Sequence, residues 1–191
     1  MSITILPLVL EPRLQENCYI VGRDGRCVII DPGAFGAQVL QRARDAGLTP
    51  EAVLITHGHF DHVGGVPPLR AAGLPVYMHD ADRYLTKFVP DAAVTDGQVL
   101  SLAGLTITVI HTPGHSPGGV CYLIENHLFS GDTLFHTDIG RTDFTYGDEA
   151  LLKAGIREKL YRLPDDTVVY PGHEEQTTIG EEKRNNLCCK A

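Results

Sequence analysis

The sequence predicts an α/β fold in which strands and helices alternate along the chain. Short runs rich in Val, Ile and Tyr and bounded by Gly or Pro indicate strands, and apolar residues at helical spacing indicate helices between them. Alternation in both halves favours two sheets, or one large mixed sheet, with helices outside. The 191 residues, 43% of them apolar, can form a substantial core, and we expect a single domain over residues 1–191.

The elements can be placed from their hydrophobic periods and the residues that end them. Gly47 is a predicted C-terminal helix cap and Asp148 a predicted N-terminal cap. The predicted strands cover residues 4–10, 18–22, 27–30, 52–56, 76–78, 106–110, 120–124, 127–129 and 167–170. The predicted helices cover residues 37–46, 63–72 and 80–87 and a stretch after Asp148. We expect the charged tail after Gly180 to fray or to form a short helix.

The composition argues against several classes of partner. A formal charge of −8 disfavours nucleic acid, which binds basic surfaces. No apolar run reaches the roughly 20 residues of a membrane-spanning helix. The five cysteines are odd in number and scattered, so we predict reduced thiols. We therefore expect a cytoplasmic protein without nucleic-acid or membrane partners, and the sequence leaves its oligomeric state open.

A dense cluster of metal-ligand residue types follows the strand at 52–56. His57, His59, Asp61 and His62 place four such residues within six positions. Alternate side chains of an extended chain point the same way, so His57 and His59 share a face. The sequence therefore predicts a metal site at the C-terminal end of this strand.

Three more predicted strands end in a Gly-containing turn followed by a ligand-type residue: His115, Asp132 and His173. Strand ends suit metal ligands because they hold side chains rigidly. Imidazoles and carboxylates without thiolates favour zinc, iron or manganese in a reactive site. The seven residues exceed the needs of one tetrahedral ion, so we predict two divalent ions, most simply zinc, that share one bridging carboxylate.

The chain resembles the metallo-β-lactamase superfamily. The H-x-H-x-D-H element at 57–62, together with His115, Asp132 and His173, carries this resemblance over essentially the whole chain. It implies a four-layer αββα sandwich, two mixed sheets flanked by helices, with the site at one edge. It also implies a first ion on His57, His59 and His115, a second on Asp61, His62 and His173, and Asp132 as the bridge.

Within the superfamily, the segments 15–17, 31–33, 131–135 and 139–144 are similar to glyoxalase II and its short bacterial relatives. This resemblance implies hydrolysis of a small anionic thioester, S-lactoylglutathione or a similar acyl-thiol, by a metal-bridging hydroxide. Asp61, as ligand and orienter, and Asp132 are then the catalytic carboxylates. Longer glyoxalase II enzymes carry a C-terminal helical substrate domain, which we expect to be absent here.

Three residues around the predicted ligands are candidates for supporting roles. Asp31 can accept a hydrogen bond from the ligand loop and fix an imidazole tautomer, or it is a simple turn aspartate. Arg141 can hold a substrate carboxylate bidentately, or it braces its loop through Asp143. Tyr146 is a further candidate for substrate binding.

Two other functions remain open at this point. Persulfide dioxygenases share the fold and a stretch like 140–144, and they imply a single iron on His57, His115 and Asp132. A non-catalytic metal-binding module would close its ligands around the ion and leave no position for water. Metal content and oxygen consumption separate these alternatives from a binuclear hydrolase.

Overall fold

A computed structural model describes residues 2–11 and 15–191 and contains two six-stranded sheets that pack face to face. The first sheet contains β1 (Thr4–Glu11), β2 (Glu16–Arg23), β3 (Arg26–Ile30), β4 (Thr49–Leu54), β5 (Val76–His79) and β6 (Ala92–Val94), in that order. The second contains β7 (Val99–Leu102), β8 (Leu105–His111), β9 (Val120–Ile124), β10 (His127–Gly131), β11 (Val168–Pro171) and β12 (Thr177–Thr178).

Both sheets are mixed. In the first, β3, β4, β5 and β6 pair in parallel, whereas β1, β2 and β3 pair antiparallel. In the second, β10 and β11 are parallel neighbours, and the other pairs are antiparallel. The helices are α1 (Gly36–Asp45), α2 (Phe60–Val63), α3 (Val66–Ala71), α4 (Glu149–Glu158) and α5 (Ile179–Asn185).

Three apolar clusters show that the molecule has four layers. Successive residues of β2 alternate between two of them: Tyr19 and Val21 lie between the sheets, while Cys18 and Ile20 face α1 and α3. In β9, Tyr122 lies between the sheets and Cys121 packs in the third cluster, which contains residues of α4 and α5. Both faces of these strands are buried because helices cover the outer side of each sheet. The expected αββα sandwich is confirmed.

The structure corrects two predicted helices. The predicted helix 63–72 is the shorter α3, and a separate helix, α2, precedes it; Pro67 and Pro68, at the start of α3, have no N–H that could join the two into one hydrogen-bond ladder. The predicted helix 80–87 is a 3₁₀ helix over Asp80–Leu85 that ends where Thr86 becomes extended. Strands β6, β7 and β12 were not predicted, since each is too short to show a clear alternation.

The structure also bears on what the sequence predicts for the C-terminal tail, for the thiols and for membrane-spanning helices. Helix α5 covers the first part of the tail after Gly180, as far as Asn185, and Cys189 beyond it is fully buried. All five cysteines are free, and only Cys188 is exposed. Among the described residues, no helix is long and apolar enough to cross a membrane.

Candidate metal centre

Four strand ends supply the predicted metal ligands. His57 and His59 follow β4, and Asp61 and His62 lie in α2, which begins immediately after them. His115, Asp132 and His173 follow β8, β10 and β11. The turn before Asp132 needs glycine, because Gly131 has a φ of +49° and a Cβ there would collide with the side chain of Thr56. The structure brings all seven side chains to one edge of the paired sheets.

The first ligand set consists of His57, His59 and His115, whose nearest ligand atoms lie within 4.8 Å of one another. His59 Nδ1 is 2.9 Å from His115 Nε2. The rings of His57 and His59 meet edge to face, with centroids 4.7 Å apart. This set joins two residues from the first sheet to one from the second.

The second ligand set consists of Asp61, His62 and His173, with ligand atoms again within 4.8 Å of one another. His62 Nε2 is 3.4 Å from His173 Nε2, and His173 Nε2 is 3.5 Å from Asp61 Oδ2. This set also takes ligands from both sheets.

Asp132 lies between the two sets. Its Oδ2 is 3.4 Å from His115 Nε2 and 3.6 Å from His173 Nε2, and its Oδ1 is 3.4 Å from His62 Nε2. One carboxylate therefore faces ligands of both sets, as a bridging ligand must.

The donor atoms fit a pair of divalent cations. His57 Nε2 and Asp132 Oδ1 are buried without a hydrogen-bond partner among the described residues, and such atoms are costly unless something satisfies them. Imidazole nitrogens that face each other at 2.9 and 3.4 Å present lone pairs to a common point. Imidazoles and carboxylates are ligands that zinc, iron and manganese accept.

A third grouping of possible ligands, Asp31 with His57 and His62, is less suited to an ion. Both carboxylate oxygens of Asp31 already accept hydrogen bonds, from the backbone N–H of Thr56 at 2.8 Å and from its hydroxyl at 2.6 Å. His62 Nδ1 also donates to Asp31, at 3.0 Å. Asp31 is therefore occupied as an acceptor and sits behind the ligands.

Most of the imidazoles are held from behind in this way. His115 Nδ1 donates to the carbonyl of Arg141 at 2.8 Å, and His59 Nε2 is hydrogen bonded to the Tyr146 hydroxyl at 2.8 Å. His57 Nδ1 is 3.1 Å from the Thr56 hydroxyl. These contacts fix each ring so that its other nitrogen points into the site.

The electrostatics of the two sets differ. Burial, followed by the neighbouring imidazoles, lowers the pKa of His57 well below its usual value, and burial and His115 lower the pKa of His59 to about 4. Burial alone would also lower the pKa of His62, but the carboxylates of Asp132 and Asp31 raise it to about 10. Burial would raise the pKa of Asp61, yet its hydrogen bond with His173 and the charge of His62 lower it to about 2.

The site opens into a cavity of about 810 Å³. Its described lining residues are Gln15, His59, Phe60, Asp61, His115, Asp132, Phe135, Asp138, Ile139, Arg141, Phe144, Tyr146, His173 and Glu174. Arg141 donates two hydrogen bonds to Asp143 at 2.7 Å and lies over the ring of Phe144 at 4.7 Å. The loop-bracing ion pair is thus present, and a substrate contact by Arg141 stays a prediction.

Sequence reasoning missed two buried carboxyl groups beside the site. Asp82 is fully buried and contacts the loops of the first set. Glu16 is 1% exposed, and burial raises its pKa to about 8. Asp82 follows β5, the neighbour of the strand that carries His57, so the rule that polar residues gather at strand ends could have found it. Glu16 starts β2 and carries no such signal.

Known proteins resemble this chain in sequence and in structure. The family described as the metallo-beta-lactamase superfamily matches residues 12–173. Hydroxyacylglutathione hydrolase GloC of Haemophilus influenzae is 35% identical, in an alignment that covers 97% of this chain and 97% of the relative.

Three crystal structures superpose closely. BLEG-1 B3 metallo-beta-lactamase has a TM-score of 0.91 and 38% identity, over 96% of this chain and 98% of its own. ETHE1 from Myxococcus xanthus has a TM-score of 0.87 and 30% identity, over 98% and 84%. TTHA1623 in a di-iron-bound form has a TM-score of 0.86 and 39% identity, over 95% and 98%.

Proposed function

Because the chain belongs to the metallo-beta-lactamase superfamily, we propose that it is a binuclear metallohydrolase that cleaves a thioester, S-lactoylglutathione or a similar acyl-thiol. One observation carries this proposal: two three-residue ligand sets converge on a shared carboxylate at the floor of an open cavity. His57, His59 and His115 would hold one ion and Asp61, His62 and His173 the other, with Asp132 between them.

We propose zinc as the native metal, with iron and manganese as the alternatives that the same ligands accept. When bound, two divalent ions supply Lewis acidity and lower the pKa of bound water from 15.7 toward about 7. The di-iron form of the relative TTHA1623 shows that a related chain, 39% identical, accepts two iron ions.

Asp61 and Asp132 are the proposed catalytic carboxylates. Both line the cavity. Burial would raise the pKa of Asp61, but its hydrogen bond with His173 and the charge of His62 lower it to about 2, so Asp61 is ionised at neutral pH. Asp61 can accept a hydrogen bond from a water molecule in the cavity and so orient it. Asp31 holds His62 from behind and keeps its Nε2 directed toward Asp132.

The cavity suits a thioester. Its volume lies within the roughly 300–1,000 Å³ of small-molecule sites. Phe144 packs against the rings of His59 and His115, with centroids 4.9 and 5.7 Å apart, and excludes water from that side. The hydroxyl of Tyr146 is already hydrogen bonded to His59, so it is not available to protonate a leaving group. A thiolate can leave without being protonated, whereas an amine leaving group needs a proton. The site therefore suits a thioester better than an amide.

Substrate contact is proposed for two lining residues. Arg141 lines the cavity, and its guanidinium could meet a carboxylate of the thiol carrier if Asp143 shared it. Tyr146 lines the same wall. A small anionic carrier such as glutathione is therefore the first to test.

The test combines metal analysis with an activity panel on protein purified without added metal. We expect two metal ions per chain and hydrolysis of S-lactoylglutathione, lost with a chelator and restored with zinc. Hydrolysis of a β-lactam with no thioester hydrolysis would contradict the proposed substrate class.

Metal content also tests the rival functions. One iron per chain with oxygen consumption on glutathione persulfide would replace the hydrolase by a persulfide dioxygenase. Two bound ions without turnover of any substrate in the panel would favour a non-catalytic module.

A further inference from the structure

Asp82 is a buried carboxylate that joins two separate loops. It lies in the 3₁₀ helix Asp80–Leu85 and is 0% exposed. Its Oδ2 accepts hydrogen bonds from the backbone N–H of Gly58 at 2.8 Å and from the Ser116 hydroxyl at 2.7 Å. Its Oδ1 accepts from the backbone N–H of Gly118 at 2.6 Å. Asp82 forms no ion pair among the described residues. The buried carboxylate is therefore stabilised by these three neutral hydrogen-bond donors.

The two loops are shaped to receive this carboxylate. A Cβ on Gly58 would lie 2.9 Å from the carbonyl oxygen of Asp82, and a Cβ on Gly118 would lie 2.7 Å from its Cγ. A larger residue at Gly58 would displace the backbone of Asp82, and one at Gly118 would displace its carboxylate. The close approach therefore depends on glycine on both sides of Asp82.

The loops that Asp82 joins carry the whole first ligand set. Gly58 lies between His57 and His59, and Ser116 directly follows His115. Asp82 itself is not among the residues that line the cavity. Its direct contacts include none of the second set, whose His62 is held by Asp31 instead.

We propose that Asp82 is the positioning residue of the first ligand set. It fixes the loop of His57 and His59 against the loop of His115, so that the three imidazoles stand at the distances a single ion requires. The proposal rests on the two-ion function above. It predicts that Asp82 controls how tightly the first ligand set binds its metal ion. Loss of residues that support metal ligands typically costs about 10- to 100-fold in affinity.

Asp82→Asn tests this role in the full-length chain. Asparagine keeps the shape but replaces one acceptor oxygen by an NH₂ group, which leaves a backbone N–H of Gly58 or Gly118 without an acceptor. Zinc is titrated into chelator-treated protein while the ring nitrogens of each histidine are followed by NMR. We expect the first set to bind zinc about 10- to 100-fold more weakly, with His62 and His173 responding as in the wild type.

Activity gives a second readout. Because Asp82 does not touch the cavity, we expect kcat for the thioester to fall while KM stays unchanged. Ser116→Ala removes one of the three hydrogen bonds and keeps the carboxylate, and it should shift the first set in the same direction by a smaller factor. This milder variant serves the test if Asp82→Asn does not fold.

Glu182 provides a matched control. It is also fully buried and also accepts three hydrogen bonds, from Thr137 N–H, the Thr177 hydroxyl and the Asn186 amide, but it contacts neither ligand set. Glu182→Gln should lower thermal stability and leave the zinc affinities of both sets unchanged.

The possible results distinguish failure of the positioning role of Asp82 from failure of the proposed hydrolase function. Equal weakening of both sets, or no weakening, in Asp82→Asn would overturn the positioning role and leave the hydrolase proposal standing. Selective loss of first-set affinity in Glu182→Gln would also overturn it. Failure of the wild-type chain to bind two zinc ions would overturn both.

Discussion

Both ligand sets contain buried imidazoles, but the charges that surround these rings differ. In the first set, burial and mutual proximity lower the pKa of His57 and His59, so these rings are neutral at pH 7. In the second, carboxylates overcome the effect of burial and raise the pKa of His62 to about 10. A metal ion binds a neutral imidazole directly but must displace a proton from a charged one.

This contrast shows that the neighbours of an imidazole determine whether it is neutral, and therefore free to bind a cation, at pH 7. Asp31 stabilises a proton on His62 through the same contact that fixes the ring. The rings of the first set instead form hydrogen bonds with neutral groups: a carbonyl behind His115 and hydroxyls beside His57 and His59. We expect the first set to load without proton release and the second with it.

The largest effect is expected from removing the residue that the two sets share. Asp132→Ala takes away the carboxylate that lies between the two sets and faces ligands of both. We expect turnover of the thioester to fall by a factor on the order of 10⁴, because the charge that holds the two halves together is lost. Circular dichroism should show an unchanged fold. Wild-type turnover in this variant would refute the assignment.

The pH dependence of stability in metal-free protein comes next in size. Glu16 has its pKa raised from 4.5 to about 8, so its contribution is complete below about pH 4.5 and is lost as the pH rises toward 8. His62, raised from 6.5 to about 10, loses its contribution as the pH rises through that window. His59, lowered from 6.5 to about 4, acts in the opposite sense and loses its contribution as the pH falls. Melting temperature should therefore decline on both sides of about pH 5–6.5.

Glu16→Gln sharpens this experiment. Glu16 lies beside the second set. In the variant, the loss of unfolding free energy at alkaline pH should be smaller by up to about 5 kcal/mol, and the loss at acid pH should be unchanged. Calorimetry from pH 4 to 9 with a chelator present measures both limbs. An unchanged alkaline limb would mean that Glu16 does not hold a proton in the folded state.

A smaller effect, biased toward one set, is expected from Asp31→Asn. Asn tolerates the left-handed φ of +48° found at Asp31, so the backbone should be preserved. We expect zinc affinity at the second set to fall about 10- to 100-fold, with a lesser change at the first. Zinc titration followed through the His62 ring measures this. A larger loss at His59 than at His62 would contradict the division of labour between Asp31 and Asp82.

The smallest effect is expected from Tyr146→Phe. The change removes the hydrogen bond to His59 Nε2, worth about 1 kcal/mol, or roughly fivefold in kcat, and leaves the aromatic ring stacked on Phe144. KM should rise as well, because Tyr146 is also a proposed substrate contact. A lower kcat with unchanged KM would mean that the Tyr146 hydroxyl supports His59 and does not bind substrate.

Much of this architecture could be predicted because its signals are local. Each metal ligand follows a buried strand and a turn, and that arrangement is visible in the residues around His57, His115 and His173. The alternation of β2 and β9 is weaker, since both faces are buried, yet their Val, Ile and Tyr content identified them. The αββα layering could be inferred only through resemblance, because local sequence does not state which sheet a strand joins.

The missed features depend on tertiary contacts. Asp82 looks like an ordinary acid in Asp80–Leu85 until the loops of Gly58 and Gly118 close around it. Glu16 forms an isolated β-bridge with His173, and no pattern within β2 reveals this contact. Strand β6 exists because β5 offers an open edge, so its three residues pair without a strong preference of their own.

Each ligand set takes side chains from both sheets, with His57, His59, Asp61 and His62 from the N-terminal half and His115, Asp132 and His173 from the C-terminal half. A bound ion would therefore cross-link the two halves of the polypeptide at one end of the core between them. Separating the sheets would require releasing the ions, so metal loading should make the halves melt as one cooperative unit and protect the intervening strands from hydrogen exchange.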